Sequence, residues 1–257
     1  MTLQAQLISL ETMVRKEITR ILRIWSQTLL PPLVTQTLYF LIFGKFIGAQ
    51  VASIHGVTYM QFIVPGLVMM AVIGSAYGNV VSSFFGAKFQ RNIEEILVSP
   101  TPEWVIIAGF TLGGLIRGII VGILVFGISL FFAHPVVHNI WIVLFFTIFT
   151  SMAFSLAALV NGIFARNFDE VAFFQNFILT PLIYLGGVFY SIHNLSPGWQ
   201  AFSLFNPLVY MINGFRYGFF GFSDVPVGIC ALILLVLTII LTTVNVVLLK
   251  KGIGIKS

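Results

Sequence analysis

Residues 118–165 read GIIVGILVFGISLFFAHPVVHNIWIVLFFTIFTSMAFSLAALVNGIFA and contain no Asp, Glu, Lys or Arg. A helix needs roughly 20 apolar residues to cross a bilayer. The stretch is therefore long enough for two crossings, with a connection around Pro135. It predicts a pair of membrane-spanning helices.

Uncharged stretches of this kind make up most of the chain. Three more lie at residues 46–87, 171–215 and 225–249. Of the 257 residues, 58% are hydrophobic and 8% are charged, whereas a soluble domain carries about 25% charged residues. The runs are apolar on every side, while a membrane barrel needs strands that alternate apolar and polar residues. The sequence predicts an all-α integral membrane protein.

Six spans are predicted within residues 24–250, at 24–44, 59–83, 104–131, 140–164, 171–190 and 226–249. Most Lys and Arg residues then fall on one face of the membrane: the N-terminal segment, Lys88, Arg91, Arg166, Lys250, Lys251 and Lys256. Only Lys45 and Arg216 fall on the other face. Positive residues stay in the cytoplasm, so we expect both termini there. Because topology accounts for the net charge of +5, nucleic acid is not predicted as a partner.

The N-terminal residues 3–23 form a predicted interfacial helix. Apolar residues recur at steps of four and three, namely Leu3, Leu7, Leu10, Val14, Ile18, Ile21 and Trp25. Arg15, Lys16, Arg20 and Arg23 lie largely off this stripe. Such a helix lies along the membrane surface. Glu11 and Glu17, and the absence of an apolar core before Arg23, argue against a cleavable signal peptide.

Residues 88–99 form a second predicted amphipathic helix, in a cytoplasmic connection. Its apolar face comprises Phe89, Ile93, Ile96 and Leu97. Its charged residues are Lys88, Arg91, Glu94 and Glu95, with Arg91 one turn away from the two glutamates. Pro100 and Pro102 end it. A short charged helix between two spans is suited to docking into the groove of a partner; alternatively, it rests on the lipid headgroups.

The predicted outer connection at residues 191–224 is too long for a turn and too apolar for a solvated loop. Short helices that dip back into the outer leaflet would satisfy its backbone groups. Trp199, Tyr210 and Tyr217 would then lie at the membrane interface, which aromatic residues with a polar group prefer.

The third predicted span contains a stripe of glycines and one charge. The glycines are Gly109, Gly113, Gly114, Gly118 and Gly122. This spacing indicates a surface for close helix packing, with a pore-lining role as the alternative. Arg117 lies within the same span, and an intramembrane charge is a functional candidate by default. It could equally bind backbone carbonyls and only hold the bundle together.

The sequence shows no catalytic machinery. It has no Gly-rich phosphate loop, no paired carboxylates, and no Asp or Glu within a predicted span. All four histidines fall in predicted outer connections: His55, His134, His138 and His193. His134 and His138 are four residues apart, but Pro135 and the lack of a nearby acidic residue argue against a metal site. The single cysteine, Cys230, lies in the last apolar run, so no disulfide is predicted.

Three segments resemble the ABC-2 type permeases. They read QRNIEEILVSPTPEWVIIAG at 90–109, LAALVNGIFARNFDEV at 156–171 and GVFYSIHNLSPGWQAFSLFNPLVYMINGFR at 187–216. The resemblance is greatest to the YadH-type permeases of the inner membrane of Gram-negative bacteria. Together with the surface helix and the six-span layout, it covers essentially the whole chain as a single transmembrane domain, 1–257.

The resemblance implies the permease subunit of an ATP-driven exporter. Two copies of the chain would bind two separate ABC ATPase subunits, and ATP and Mg²⁺ would be held by the ATPase, so no cofactor is expected here. The surface helix and residues 88–99 would contact the ATPase through Lys88, Arg91, Glu94 and Glu95. The short connection at 166–170, with Arg166 and Asp169, would be a further contact.

The substrate path implied by the resemblance runs between the two copies, along the first, second and fifth spans. Its candidate residues are Tyr39, Phe43, Met69, Met70, Tyr77, Asn79, Phe173, Asn176 and Phe177. This mixture of aromatic and amide groups favours an amphipathic drug, lipid or glycolipid, although aromatic residues in membrane helices more often serve packing. The alternatives are a self-sufficient carrier or channel and a membrane-embedded enzyme acting on lipid. Pro65 and Pro181 are possible helix breaks of a carrier, but no acidic coupling residue accompanies them.

Overall fold

The computed structural model describes residues 2–51, 53–54 and 56–254, except for the side chains of Ile96 and Leu97. Two residues named in the predictions, His55 and Lys256, therefore lie outside the described residues. The same holds for the side chains of Ile96 and Leu97, which belong to the apolar face of the predicted helix at 88–99. Within the described residues the chain is helical and contains no β-strand. The predicted all-α class is confirmed.

Ten helices organise the described part of the chain. They are α1 (Leu3–Arg23), α2 (Trp25–Gln50), α3 (Tyr59–Phe89), α4 (Ile93–Val98), α5 (Glu103–Ser129), α6 (Ile140–Phe164), α7 (168–184), α8 (Pro197–Leu204), α9 (Pro207–Phe220) and α10 (Val227–Lys251). A single 3₁₀ turn, Ile192–Asn194, precedes α8.

Five of the described helices are long and apolar enough to cross a membrane: α2, α3, α5, α6 and α10. They confirm five of the six predicted spans. The remaining predicted span, 171–190, corresponds to α7, which ends at Tyr184. Its 17 residues give a length of about 25 Å. The chain turns after Tyr184, where Gly187 has a φ of +79°, so α7 stops short of the predicted end.

Capping side chains explain where several helices begin. Thr58 accepts a hydrogen bond from the backbone N–H of Gln61, whose side chain accepts one from the N–H of Thr58 in return. Asn139 accepts from the N–H of Trp141 at the start of α6. These contacts satisfy backbone donors that a helix start leaves free. Gly252 ends α10 in the left-handed region, which favours glycine.

The core forms around α3, whose most apolar stretch is largely buried among the other helices. The predicted glycine stripe of α5 lies where α5 packs against neighbouring helices. A Cβ at Gly114 would meet Val80 of α3 and Ser155 of α6, and a Cβ at Gly118 would meet Ser151 of α6. The other end of the stripe faces α1, because a Cβ at Gly113 would meet Glu17. These contacts favour the packing interpretation of the stripe.

Two ends of the bundle are defined by which connections meet there. At one end, Lys88 of α3 binds the carbonyl of Ile163 at the end of α6, and Gly254 also lies against Ile163. We call this the basic end. At the opposite end, the N–H of Asn139 donates to the carbonyl of Gly218. The basic end carries the segments that the charge pattern predicts to be cytoplasmic.

The predicted outer helices at 191–224 correspond to α8 and α9. Helix α9 packs against α3, α6 and α10, and most of its residues are buried. Trp199 of α8 is 58% exposed, while Tyr210 and Tyr217 of α9 are half-buried. An outer-leaflet position for these helices stays a prediction.

The predicted single helix at 88–99 is wrong in its extent. Lys88 and Phe89 are the last residues of α3, and a turn at 90–92 separates them from α4. Arg91 has a φ of +61° in this turn, which is uncommon for a residue other than glycine. A straight continuation would carry Ile93 away from the bundle, whereas the turn leaves it 2% exposed. No ion pair within 4 Å joins Arg91 to Glu94 or Glu95, so the pairing expected from the spacing is also wrong.

Among the described helices, three contain wide π-helical segments. These are Phe40–Ile47 in α2, Val81–Phe85 in α3 and Phe174–Leu179 in α7. They belong to the first, second and fifth predicted spans. In contrast, α5, α6 and α10 are regular α-helices throughout. Wide turns of this kind occur frequently at functional sites.

Candidate docking site and transport path

A groove at the basic end brings the two predicted docking connections together. Its volume is about 560 Å³, and Arg91 and Glu94 line it from one connection while Arg166 lines it from the other. The rings of Phe89 and Phe168 lie 4.9 Å apart beside it. Segments separated by more than 70 residues therefore form one continuous surface.

The charged residues of the two connections are available at the surface. Arg91, Glu94, Glu95, Arg166 and Asp169 are all exposed, although Glu95 and Asp169 are not part of the lining of this groove. The connection that carries Arg166 is held in shape by its own hydrogen bonds: the N–H of Arg166 donates to Glu170 at 2.9 Å, and that of Glu170 donates to Asn167 at 2.8 Å. A surface that is charged, exposed and locally fixed is suited to a partner protein.

Lys88 also lines this groove, but its amine is bonded to backbone carbonyl groups. Its Nζ donates to the carbonyls of Gly162 (3.2 Å), Ile163 (2.5 Å) and Ala165 (2.8 Å). These carbonyls lie at the C-terminal end of α6, where a cation satisfies free acceptors and the helix dipole. Lys88 therefore fastens α3 to α6, and its amine is engaged there even though the residue lines the groove.

Aromatic residues of the predicted path meet near the opposite end of the bundle. The hydroxyl groups of Tyr39 and Tyr184 are hydrogen-bonded to each other. The ring of Phe43 lies 4.4 Å from that of Phe189, and Tyr59 donates to the Phe189 carbonyl at 3.0 Å. The first span is thereby joined to the end of α7 through aromatic contacts.

The remaining path residues divide into exposed and buried groups. Phe173 and Phe177 stack on each other with centroids 4.9 Å apart, and they are 57% and 70% exposed. Asn176 is exposed next to them, and Met70 is half-buried. Three others, Met69, Tyr77 and Asn79, are fully buried. Tyr77 accepts a hydrogen bond from Asn161 at 2.6 Å, so its polar group is already engaged.

Asn79 belongs to a buried polar cluster. The cluster also includes Glu17, to which the sequence analysis assigned no role. Glu17 is 1% exposed. It forms an ion pair with Arg20 at 3.1 Å, accepts from Asn79 at 3.3 Å, and accepts from Ser83. Arg20 in turn donates to the Asn79 side chain at 2.8 Å. The cluster binds the surface helix α1 to the second half of α3.

The sequence did contain a signal for this cluster. Glu17 lies four residues after Met13 and four before Ile21, so the three share one helix face. Met13 packs against Gly109, and Ile21 is buried. A carboxylate on the face that packs against the bundle must find partners there. The predicted stripe included Ile21 but otherwise ran through Val14 and Ile18, on the adjacent face.

The family of ABC-2 type transporters matches residues 9–220 of the chain. The chain belongs to this family. It is 54% identical to the inner membrane transport permease YadH of Escherichia coli K12 over 251 residues, which are 97% of this chain and 98% of the relative. Nodulation protein J of Rhizobium leguminosarum bv. viciae is 24% identical over 200 residues, covering 74% and 73% of the two chains. These matches confirm the resemblance to ABC-2 type permeases of the YadH type.

As an ABC-2 type permease, the chain is a transport subunit rather than an enzyme, and family membership implies an ABC ATPase partner in general. Its described residues include no group of three His, Cys, Asp or Glu side chains placed to hold a metal. His138 instead packs edge-on against Tyr217, with centroids 6.4 Å apart.

Arg117 of the permease binds backbone rather than another charge. Its Nη2 donates to the carbonyl of Thr28 at 2.9 Å. In a regular helix that carbonyl would accept from the N–H four residues later, but residue 32 is proline and has none. Arg117 thus occupies an acceptor that Pro32 leaves free in the first span. The sequence left open whether Arg117 is functional or only holds the bundle together, and this contact favours the second interpretation.

Arg216 is a second buried cation of the permease, which the sequence analysis placed in an outer connection. It is 1% exposed, donates to the Gly187 carbonyl at 2.6 Å, and lies 4.1 Å from the centre of the Phe62 ring. Asp224 lies 3.9 Å away and accepts from Ser191 at 2.8 Å. Burial lowers the pKa of Arg216 to about 10, and Asp224 opposes this change, so the guanidinium stays charged at neutral pH.

The signal for this pair lay in the charge pattern. Arg216 and Asp224 are the only charged residues between positions 171 and 249. Two opposite charges eight residues apart in so apolar a region are expected to pair. The pair links α9 to the turn that follows α7.

Proposed function

We propose that the chain is the permease subunit of an ATP-driven exporter. Two copies act with two separate ABC ATPase subunits, which hold ATP and Mg²⁺. The proposal is supported by the match to the ABC-2 type transporter family and by the YadH relatives, whose name is inner membrane transport permease. On the same grounds we propose that the protein lies in a bacterial inner membrane, and the distribution of Lys and Arg residues supports a cytoplasmic position for both termini.

The observation that carries the proposal is the groove at the basic end. Arg91, Glu94 and Arg166 come from two connections that are distant in sequence, yet they line one surface. Both connections join spans: one follows α3 and the other follows α6. A partner bound in this groove could therefore move several spans together as rigid bodies.

The transported substrate is proposed to be an amphipathic drug, lipid or glycolipid. The exposed residues of α7, Phe173, Asn176 and Phe177, would line the path where two copies meet. Tyr39 and Phe43 would line it nearer the opposite end, where their contacts with Tyr184 and Phe189 close the first span against α7. Tyr77 and Asn79 are bonded within the chain and hold no substrate in this arrangement.

The six-span topology is part of the proposal. Helix α7 would be the fifth span, with its short length completed by the turn at 185–190. Helices α8 and α9 would dip into the outer leaflet from the opposite end. The packing of α9 against α3, α6 and α10 supports this position, since a helix with so many apolar contacts has little surface for water.

The experiment that tests the docking surface is charge reversal at Glu94 and Glu95. We expect E94K/E95K to abolish co-purification of the co-expressed ATPase while membrane insertion is unchanged. The control is Lys45→Glu, because Lys45 is also exposed but lies on α2 and is not part of the groove lining. Unchanged association in E94K/E95K would remove α4 as the docking element.

ATP hydrolysis separates the exporter from a self-sufficient carrier. The purified chain in lipid should be silent alone and should show vanadate-sensitive turnover once co-purified with its ATPase. If no ATPase associates and vesicles with this chain alone move solutes, the exporter proposal fails.

A further inference from the structure

The chain turns sharply at the basic end after its last span. Gly252 ends α10 with a φ of +65°. The N–H of Gly252 donates to the Leu249 carbonyl, and that of Ile253 donates to the Leu248 carbonyl, both at 3.1 Å. This is the Schellman arrangement, in which a left-handed glycine turns the chain away from the helix. The direction in which the chain leaves α10 is therefore fixed by hydrogen bonds.

Gly254 then packs against the end of α6. Its φ is +72°, and a Cβ at this position would lie 2.6 Å from the carbonyl oxygen of Ile163. Glycine is the residue that allows so close an approach in this conformation. The same carbonyl accepts from Nζ of Lys88 at 2.5 Å. The ends of α3, α6 and α10 therefore meet at Ile163.

This terminal segment is a wall of the groove at the basic end. Ile253 and Gly254 line the same groove as the two docking connections. Three of its lining residues present large apolar side chains at the surface: Phe89 is 58% exposed, Phe164 is 56% exposed and Ile253 is 42% exposed. They come from α3, α6 and the segment after α10. The groove thus offers one apolar surface built from three chain segments.

Charged side chains share the groove with these apolar ones. Arg91, Glu94 and Arg166 belong to the same lining, and all three are exposed. Apolar contacts surrounded by polar and charged groups are typical of an interface between proteins. An acyl chain would instead place hydrocarbon against ions of both signs, which it cannot solvate. The composition of the groove therefore favours a protein as its occupant.

We propose that Ile253 and Gly254 form a third contact for the ABC ATPase, which places an apolar side chain against Ile253, Phe89 and Phe164. This inference rests on the proposed function, since it extends the docking surface described there. It is carried by the continuity of the groove, whose other walls are the two docking connections. Through this contact the bound ATPase holds the end of α10 as well as the ends of α3 and α6.

The first test measures the affinity of the full-length chain in nanodiscs for the ATPase that co-purifies with it. Ile253→Ser removes the apolar side chain, and we expect affinity to fall about tenfold. Ile253→Leu keeps an apolar side chain and should change affinity less than about twofold. The matched control is Val247→Ser, because Val247 is 41% exposed on α10 but is not part of the groove lining. It should also change affinity less than about twofold.

Equal losses in Ile253→Ser and Val247→Ser, or no loss in Ile253→Ser, would overturn the proposed contact. A second measurement shows directly what covers the residue. In a Cys230→Ala background, Ile253→Cys is treated with a water-soluble maleimide in nanodiscs, with and without the bound ATPase. We expect ready alkylation of the chain alone and strong protection in the complex. Failure of the chain alone to react would show that lipid or a second copy covers this position, and undiminished reaction in the complex would show that the ATPase binds elsewhere; both contradict the proposal.

The unaltered chain separates failure of this contact from failure of the proposed function. Its co-purification with the ATPase is measured beside that of the variants. If the ATPase binds the unaltered chain and Ile253→Ser equally well, the ATPase partnership stands and the third contact is wrong. If no ATPase associates with the unaltered chain, the proposed function fails and the third contact fails with it.

Discussion

At the scale of single residues, each of these buried charges binds a backbone group or an oppositely charged side chain. Glu17 neutralises Arg20 and accepts from Asn79 and Ser83. Arg117 donates to the carbonyl of Thr28. A charge in so apolar a protein is expensive unless it has such partners, and the consequences of removing them can be measured.

Glu17→Ala is expected to destabilise the permease strongly. The substitution leaves Arg20 without its carboxylate and Asn79 and Ser83 without an acceptor, a loss of about 3 kcal/mol. The free energy of unfolding in detergent micelles measures it, and limited proteolysis should show that α1 has become accessible. Glu11→Ala is the matched control, since Glu11 is exposed on the same helix, and it should change stability by less than about 0.5 kcal/mol. Similar values for the two variants would contradict the role given to Glu17.

Arg117→Leu should lower the unfolding free energy by about 1–3 kcal/mol, because the Thr28 carbonyl then loses its donor inside the bundle. Arg117→Lys keeps a donor and should retain most of the stability. Both variants are compared by unfolding in micelles and by transport in vesicles. A variant that keeps its stability and loses transport would show that Arg117 acts on the substrate instead.

At the scale of elements, the sequence predicted helices well where they are long and uniformly apolar, and poorly where the chain turns. Five spans were predicted from long apolar runs because a bilayer crossing requires that length and composition. The break between α3 and α4 was missed, since the turn depends on burying Ile93 against the bundle, a contact between distant segments. The end of α7 was missed for a similar reason: Arg216, Asp224 and Gly187 fix the turn after it together.

The glycine stripe of α5 gives a prediction that compares two positions of one helix. Gly114→Ala should destabilise the protein by about 1–3 kcal/mol, because its Cβ would lie 2.8 Å from Val80 and 2.9 Å from the Ala76 carbonyl. Gly127→Ala adds the same methyl group where nothing lies within 4 Å. That control should be neutral or stabilising, since alanine favours helix more than glycine does. Melting temperatures in detergent measure both, and a loss at both positions would argue against close packing as the cause.

At the scale of the whole molecule, the candidate site was predicted better in its location than in its residues. The two docking connections were identified from charge and resemblance, and the structure brings Arg91, Glu94 and Arg166 together. Lys88 was assigned to the same surface and does line the groove, but its amine also fastens α3 to α6. A lysine that binds helix carbonyls and one that faces solvent look alike in sequence, because the carbonyls belong to a helix some 75 residues away.

The proposed dimer gives a prediction of its own, since Cys230 is the single cysteine of the chain and is buried. In a Cys230→Ala background, Phe177→Cys is expected to form a disulfide between two copies in oxidised membranes. Phe177 is 70% exposed on α7, on the proposed path between copies. Ile239→Cys is the control, because Ile239 is 64% exposed on α10 and should face lipid. Dimers from Ile239→Cys but not from Phe177→Cys would place the contact between copies on the other side of the bundle.

The wide turns of α2, α3 and α7 have a mechanical consequence. A π-helical turn is an α-helix with an inserted residue, and such an insertion can migrate along the helix without unwinding it. Each step of migration rotates the side chains it passes by roughly 100° about the helix axis. The three spans that carry these turns could therefore swivel different side chains into a shared pathway, while α5, α6 and α10 remain a stationary frame.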